Sequence, residues 1–116
     1  MTADQDLLAR EPRSQAELEA LITSLGLRLE QAVPTIRNLL RERYAAERTL
    51  RDARARALIA SKAPTVAEKR AEADIATLPQ QLEVDLRREA LHAAEALQAA
   101  LTARLNGLLN LNRRGG

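Results

Sequence analysis

From Leu18 to Ala60 apolar residues recur at alternating intervals of four and three. Ile22, Leu29, Ile36, Leu50 and Ala57 form one row. Leu18, Leu25, Ala32, Leu39, Ala46, Ala53 and Ala60 form the other, and Arg43 is the one charged residue in the pattern. An alternation of this kind keeps every apolar side chain on one narrow seam of an α-helix. Sustained over six heptads, it confines the chain to a long helix in a coiled coil or an antiparallel bundle.

Composition agrees. Tyr44 is the only aromatic residue, and Phe, Trp and Cys are absent. A core of Leu, Ile, Val and Ala suits helices that interdigitate and suits a sheet poorly. Without Cys there is neither a disulfide nor a thiolate metal site, which points to a reducing, cytoplasmic setting, that of the host cell if the chain is phage-encoded. The start Met1-Thr2-Ala3-Asp4-Gln5-Asp6 is acidic and does not read as a signal peptide. No apolar run approaches the ~20 residues of a membrane span.

The expected fold is all-α: a long helical hairpin, or antiparallel coiled coil, that is kinked near Pro34 and Pro79 and oligomerises. Residues 1–13 read as a flexible leader. Ser14 with Glu17 is a capping box and starts the first arm. Gly26 weakens that arm by ~1 kcal/mol, and Pro34 predicts a kink or short break. Residues 61–65 read as the turn, closed by a second capping box of Thr65 and Glu68. A helix follows from Val66 to about Thr77, and Pro79 is placed as the first residue of the last helix. A single helical-hairpin domain thus covers 14–112, with a flexible tail at 113–116.

The last helix carries two apolar stripes. Leu82, Leu86, Ala90, Ala93, Leu97 and Ala100 are expected to dock on the first arm. Leu91, Ala94, Leu101, Leu105 and Leu108 are then surplus, so Leu91, Leu101, Leu105 and Leu108 are expected to form an interface between copies.

Charge is unevenly placed. Residues 1–36 hold three Arg against six acids, and residues 37–56 hold seven Arg against three acids. Within the basic segment Arg37, Arg41, Tyr44, Arg48 and Arg51 are spaced 4, 3, 4, 3, on the helix face opposite the seam. The stripe spans ~21 Å at ~1.5 Å per residue, and Lys62 extends its line. Cations at repeated intervals suit a phosphate backbone, and an exposed aromatic suits base stacking. The same face also reads as a solvated surface laced with pairs such as Glu47 with Arg51, or as a site for an acidic protein. Arg43, within the seam, reads as a snorkelling edge residue or as a device that fixes register.

Catalytic chemistry is not expected. Ser14, Ser24 and Ser61 lack the glycines of a nucleophile elbow, and no glycine-rich phosphate loop occurs. His92 is a lone histidine. Glu68, Glu72 and Asp74 are neutralised by Lys69 and Arg70 and read as a solvated face. No cofactor, metal or catalytic residue is assigned.

Residues 35–113 resemble the UvsY-type recombination mediator of tailed phages. The resemblance rests on the segment Leu50-Arg51-Asp52-Ala53-Arg54-Ala55-Arg56, on Glu68-Lys69-Arg70-Ala71-Glu72 after a polar turn, and on the Leu-rich stretch from Leu101 to Arg113. Aromatic residues after the basic segment are missing from it. The resemblance implies a homo-oligomeric helical protein that binds single-stranded DNA and helps load a recombinase. The competing expectation is a coiled-coil structural or adaptor protein, a phage assembly or scaffold component, whose basic face meets an acidic protein.

Overall fold

The computed structural model describes residues 2–115. These form four helices: α1 (Ala3–Ala9), α2 (Gln15–Ala60), α3 (Val66–Ala76) and α4 (Leu78–Gly115). No strand occurs among the described residues. The fold is all-α, an antiparallel helical hairpin. None of the helices is long and apolar enough to cross a membrane.

The seam of α2 is where the spacing puts it. Leu18, Leu25, Ala32 and Ala46 are buried, and Ile22, Leu29, Ile36, Leu39, Leu50, Ala53 and Ala57 are half-buried. The Ser14 hydroxyl accepts from the Glu17 N–H at 3.1 Å. Glu17 reaches one residue further back than a capping box requires, and its carboxylate accepts from the Arg13 N–H at 2.6 Å.

α2 passes through Gly26 and Pro34 as one helix, so the expected break does not form. Pro34 is exposed, on the side away from the seam. The carbonyl that its missing N–H leaves free therefore faces water, which lowers the cost of keeping a proline inside the helix. Beside it the Thr35 hydroxyl donates to the Gln31 carbonyl at 3.2 Å. Pro79 has a larger effect. Between α3 and α4 Thr77 leaves the helical region, with φ −108° and ψ 14°. Its buried hydroxyl donates to the Ala73 carbonyl at 2.7 Å. α4 begins at Leu78, so Pro79 is its second residue rather than its first. The turn between α2 and α3 is residues 61–65, as the sequence predicts. Thr65 caps α3 by accepting from the Glu68 N–H at 3.1 Å.

The leader is not featureless. Thr2 and Gln5 form a reciprocal capping box that starts α1. Leu7 and Leu8 of α1 pack against the core. Asp4 meets Arg28 of α2 through two contacts, 2.6 Å to Nε and 3.3 Å to Nη2. At the other end α4 continues through Arg113 and Arg114 to Gly115, so the tail is helical over its described part, and Gly116 lies outside the described residues.

The chain divides into two compact units. Unit 1 takes the chain up to Ile36 and from Ala93 onward. Its core is Leu18, Leu21, Leu25, Leu101 and Leu108, backed by Leu7, Leu8, Ile22, Leu29, Leu97 and Leu105. Here α2 and α4 run antiparallel, and Gln15 Nε2 donates to Asn112 Oδ1 at 2.7 Å. Unit 2 is Arg37–His92, and its buried apolar residues are Ala46, Ala73, Val84 and Leu91. Within it α2 and α4 are again antiparallel. Arg87 reaches Glu42 at 3.0 Å and Arg88 reaches Glu47 at 3.3 Å, while Arg54 of α2 meets Asp74 of α3 at 2.6 Å.

The two stripes of α4 depart from the roles expected of them, although Leu97 packs on the core as expected. Leu91, Leu101 and Leu108 are buried within the chain, and Leu105 packs half-buried against the same core. They are not a free surface for another copy. Leu82 and Leu86 are exposed instead, at 60% and 51%. The inward line of the last arm has Thr77, Val84 and Leu91 buried and Gln98, Leu105 and Asn112 half-buried, seven residues apart, with buried Leu101 and Leu108 and half-buried Gln80, Arg87 and Ala94 between. This strict heptad matches the seam of α2.

Two predictions follow from the packing. Leu101 has no exposed surface, so Leu101→Ala should destabilise by about 2–5 kcal/mol in urea unfolding. Arg28 holds the Asp4 carboxyl below its ordinary value, chiefly by hydrogen bonding and against the cost of desolvation. A lowered folded value stabilises above the ordinary aspartate range, about 4, and that contribution disappears as pH falls through the lowered value. Protection factors of the α1 amides, corrected for the slower intrinsic exchange in acid, should therefore fall below that range, and Asp4→Asn should show the lower protection already at neutral pH.

Candidate nucleic-acid interface

The stripe predicted from spacing is a real surface of unit 2. Arg37, Arg41, Tyr44, Arg48 and Arg51 all stand exposed on α2. One continuous helix carries them, so their intervals are held by its backbone hydrogen bonds. Lys62 is also exposed, but lies past the end of α2 in the turn. It is not held by the same helical register.

The arginines of unit 2 differ in pairing, and Arg56 and Arg70, off the stripe, have no carboxylate within salt-bridge distance among the described residues. Arg43, Arg54, Arg87 and Arg88 each pair with a carboxylate. Among the described residues Arg37, Arg41, Arg48 and Arg51 have no carboxylate within salt-bridge distance. The intrahelical pair expected between Glu47 and Arg51 does not form. Glu47 is occupied by Arg88 at 3.3 Å and by Arg43 at 3.4 Å. Glu42 is taken by Arg87, which also binds Glu83 at 2.6 Å. Glu42 and Glu47 are thus turned toward α4, while Asp52 stays exposed beside Arg51 and makes no ion pair among the described residues.

Tyr44 is 45% exposed. The Arg43 guanidinium carbon lies 4.9 Å from the centroid of its ring. That is within the range of a cation–π contact, so one ring face already has a cation over it. Arg43 therefore does more than snorkel. Its half-buried side chain links the seam to Tyr44 and to Glu47, although Nε makes no aligned hydrogen bond.

The remaining candidates have structural contacts. Glu72 accepts from the Ser61 hydroxyl at 2.6 Å, and Asp74 pairs with Arg54. The Glu68 N–H is capped by Thr65. His92 is exposed on α4. Among the described residues no three or more His, Asp or Glu side chains are grouped so as to hold a metal ion. Tyr44 with its Arg43 cover is a feature that stripe counting overlooks; adjacency in sequence at a seam boundary was the available signal.

No protein-family profile, curated protein or solved structure matches the chain.

The division of the arginines has a chemical readout that needs no ligand. An arginine-selective dicarbonyl reagent should modify Arg37, Arg41, Arg48 and Arg51 faster than Arg54 and Arg87, as read by peptide mass spectrometry.

Proposed function

We propose that the protein is a non-enzymatic nucleic-acid-binding accessory that grips single-stranded DNA by its phosphates along the outer face of α2. The observation that carries this reading is the set of four exposed arginines without a carboxylate partner, on a helix where Glu42 and Glu47 are engaged by arginines of α4 and only Asp52 is left beside the stripe. Unpaired arginines can meet an incoming anion without breaking an existing salt bridge. Arg also offers a planar fork suited to phosphate oxygens. Tyr44 adds a ring with one face covered by Arg43 and the other open for a base. Lys62 lies beyond the helix and contributes attraction rather than register.

The resemblance of residues 35–113 to UvsY-type mediators supplies the biological setting: a cytoplasmic, oligomeric protein of phage recombination that works with a recombinase. The chemistry of the face supports its phosphate-binding part directly. The same chemistry would also suit an acidic protein, and the binding experiment separates the two.

Binding of the full chain to a labelled single-stranded oligonucleotide, titrated against salt, is the test. Replacing any one of Arg37, Arg41, Arg48 or Arg51 by Ala should weaken binding uniformly across sequences and reduce the salt slope by about 0.7. Tyr44→Ala should weaken binding by about 1–3 kcal/mol with little change in slope. An Arg41→Glu/Arg48→Glu variant that stays helical and binds as before would remove the nucleic-acid reading and leave the acidic-protein adaptor.

A further inference from the structure

Unit 2 has an open groove of about 530 Å³ along one flank of the arginine stripe. Sites for small ligands run from roughly 300 to 1,000 Å³. The floor of the groove is apolar, formed by Leu50 and Leu58 of α2 and Val84 of α4. Its walls carry guanidinium groups, Arg51 and Arg54 on the α2 side and Arg88 on the α4 side. Arg51 is also the last arginine of the stripe, so stripe and groove meet at that residue. The other flank of α2 is of opposite character. There a groove of about 420 Å³ is lined by Glu42 and Glu83, with Arg87 bound to both.

The three wall arginines are not equivalent. Arg51 has no carboxylate partner, whereas Arg54 is matched by Asp74 at 2.6 Å and Arg88 by Glu47 at 3.3 Å. Arg54 and Arg88 still keep 48% and 56% of their side chains exposed. A paired guanidinium has little charge left for a further anion, but its planar face can stack on a flat ring. Apolar floor, stacking walls and compensated charge together suit an uncharged aromatic ring better than a carboxylate.

We infer that this groove receives a base of the strand that the stripe holds, with Arg51 on the adjoining phosphate. The inference rests on the single-strand reading above and adds a side to it: bases turn toward α4 over Val84, not toward Glu42 and Glu83. A base brings no net charge, so it does not compete with Asp74 or Glu47 for their arginines, as an acidic side chain would. The bases of a single strand are unpaired and free to leave their own stack for a protein surface. On the acidic flank, the phosphates next to an inserted base would meet two carboxylates. Stacking tolerates any base, so the groove adds affinity without sequence preference and without changing the salt slope.

The chain has no native cysteine, so single cysteines report which flank is covered. Gln81 lines the arginine-walled groove and Gln80 the acidic one, and both are half-buried on α4. Full-length Gln81→Cys and Gln80→Cys are alkylated with iodoacetamide, alone and saturated with a thymidine oligonucleotide or an abasic one of equal length. The thymidine strand should slow alkylation of Gln81→Cys by roughly 5- to 150-fold, the ratio of filled to empty groove that one stacked base sets. The abasic strand should not slow it, and Gln80→Cys should react alike in all three states. Leu58→Gln, with unchanged far-UV circular dichroism, should weaken binding of the thymidine strand and leave the abasic strand and the salt slope as they were. Strand binding that leaves Gln81→Cys unprotected, protects both cysteines equally, or protects Gln81→Cys without bases would overturn the groove assignment while the phosphate grip stands. Binding of neither strand would remove the proposed function and the groove assignment with it. Protection of Gln81→Cys by polyglutamate alone would give the groove to an acidic protein instead.

Discussion

Seven-residue registry between α2 and the arm formed by α3 and α4 is the constraint on which the other features depend. A helix of 46 residues presents its seam along one side only, and everything else on it is pushed outward. Once Leu18, Leu25, Ala32 and Ala46 face inward, Arg37, Arg41, Tyr44, Arg48 and Arg51 must face out. On the second arm, burying Val84, Leu91, Leu101 and Leu108 leaves Leu78, Leu82 and Leu86 outside. Neither outer face needs a separate explanation for its position.

The two units hold that registry differently. Unit 1 does so with a cluster of leucines, reinforced by α1 and its Asp4–Arg28 contact. Unit 2 has smaller buried side chains and a set of ion pairs: Glu42 with Arg87, Glu47 with Arg88, Arg54 with Asp74. Exposed pairs contribute little each, about 0–1 kcal/mol. They do select which acid is available to which arginine, and that selection leaves the stripe unpaired.

Much of the fold was legible in the sequence because α2 buries or half-buries its seam positions from Leu18 to Ala57, only the terminal Ala60 standing exposed. The turn at 61–65 and the interruption before Pro79 were legible from capping and proline chemistry. The role of the α4 stripes was not. Its inward line contains buried Thr77 and half-buried Gln98 and Asn112, and these polar residues disguise a strict heptad, while Leu82 and Leu86 look like core by composition. α1 was missed although Thr2 and Gln5 carry its capping signal, since a helix of seven residues is stable only through the packing of Leu7 and Leu8. The positions of the stripe residues were readable from spacing alone. The absence of a pair between Glu47 and Arg51 was not, because Glu47 is taken by Arg88, far along the chain.

Tyr44 is the one aromatic side chain in the protein. The near-ultraviolet absorption and the intrinsic fluorescence of the whole molecule therefore originate from a single ring, placed among the unpaired arginines and beneath the Arg43 guanidinium. Few proteins carry their only chromophore at the centre of the surface of interest. Any anion, base or carboxylate that displaces Arg43 or covers the open side of the ring changes the one optical signal the chain possesses, with no label attached and no background from elsewhere in the fold.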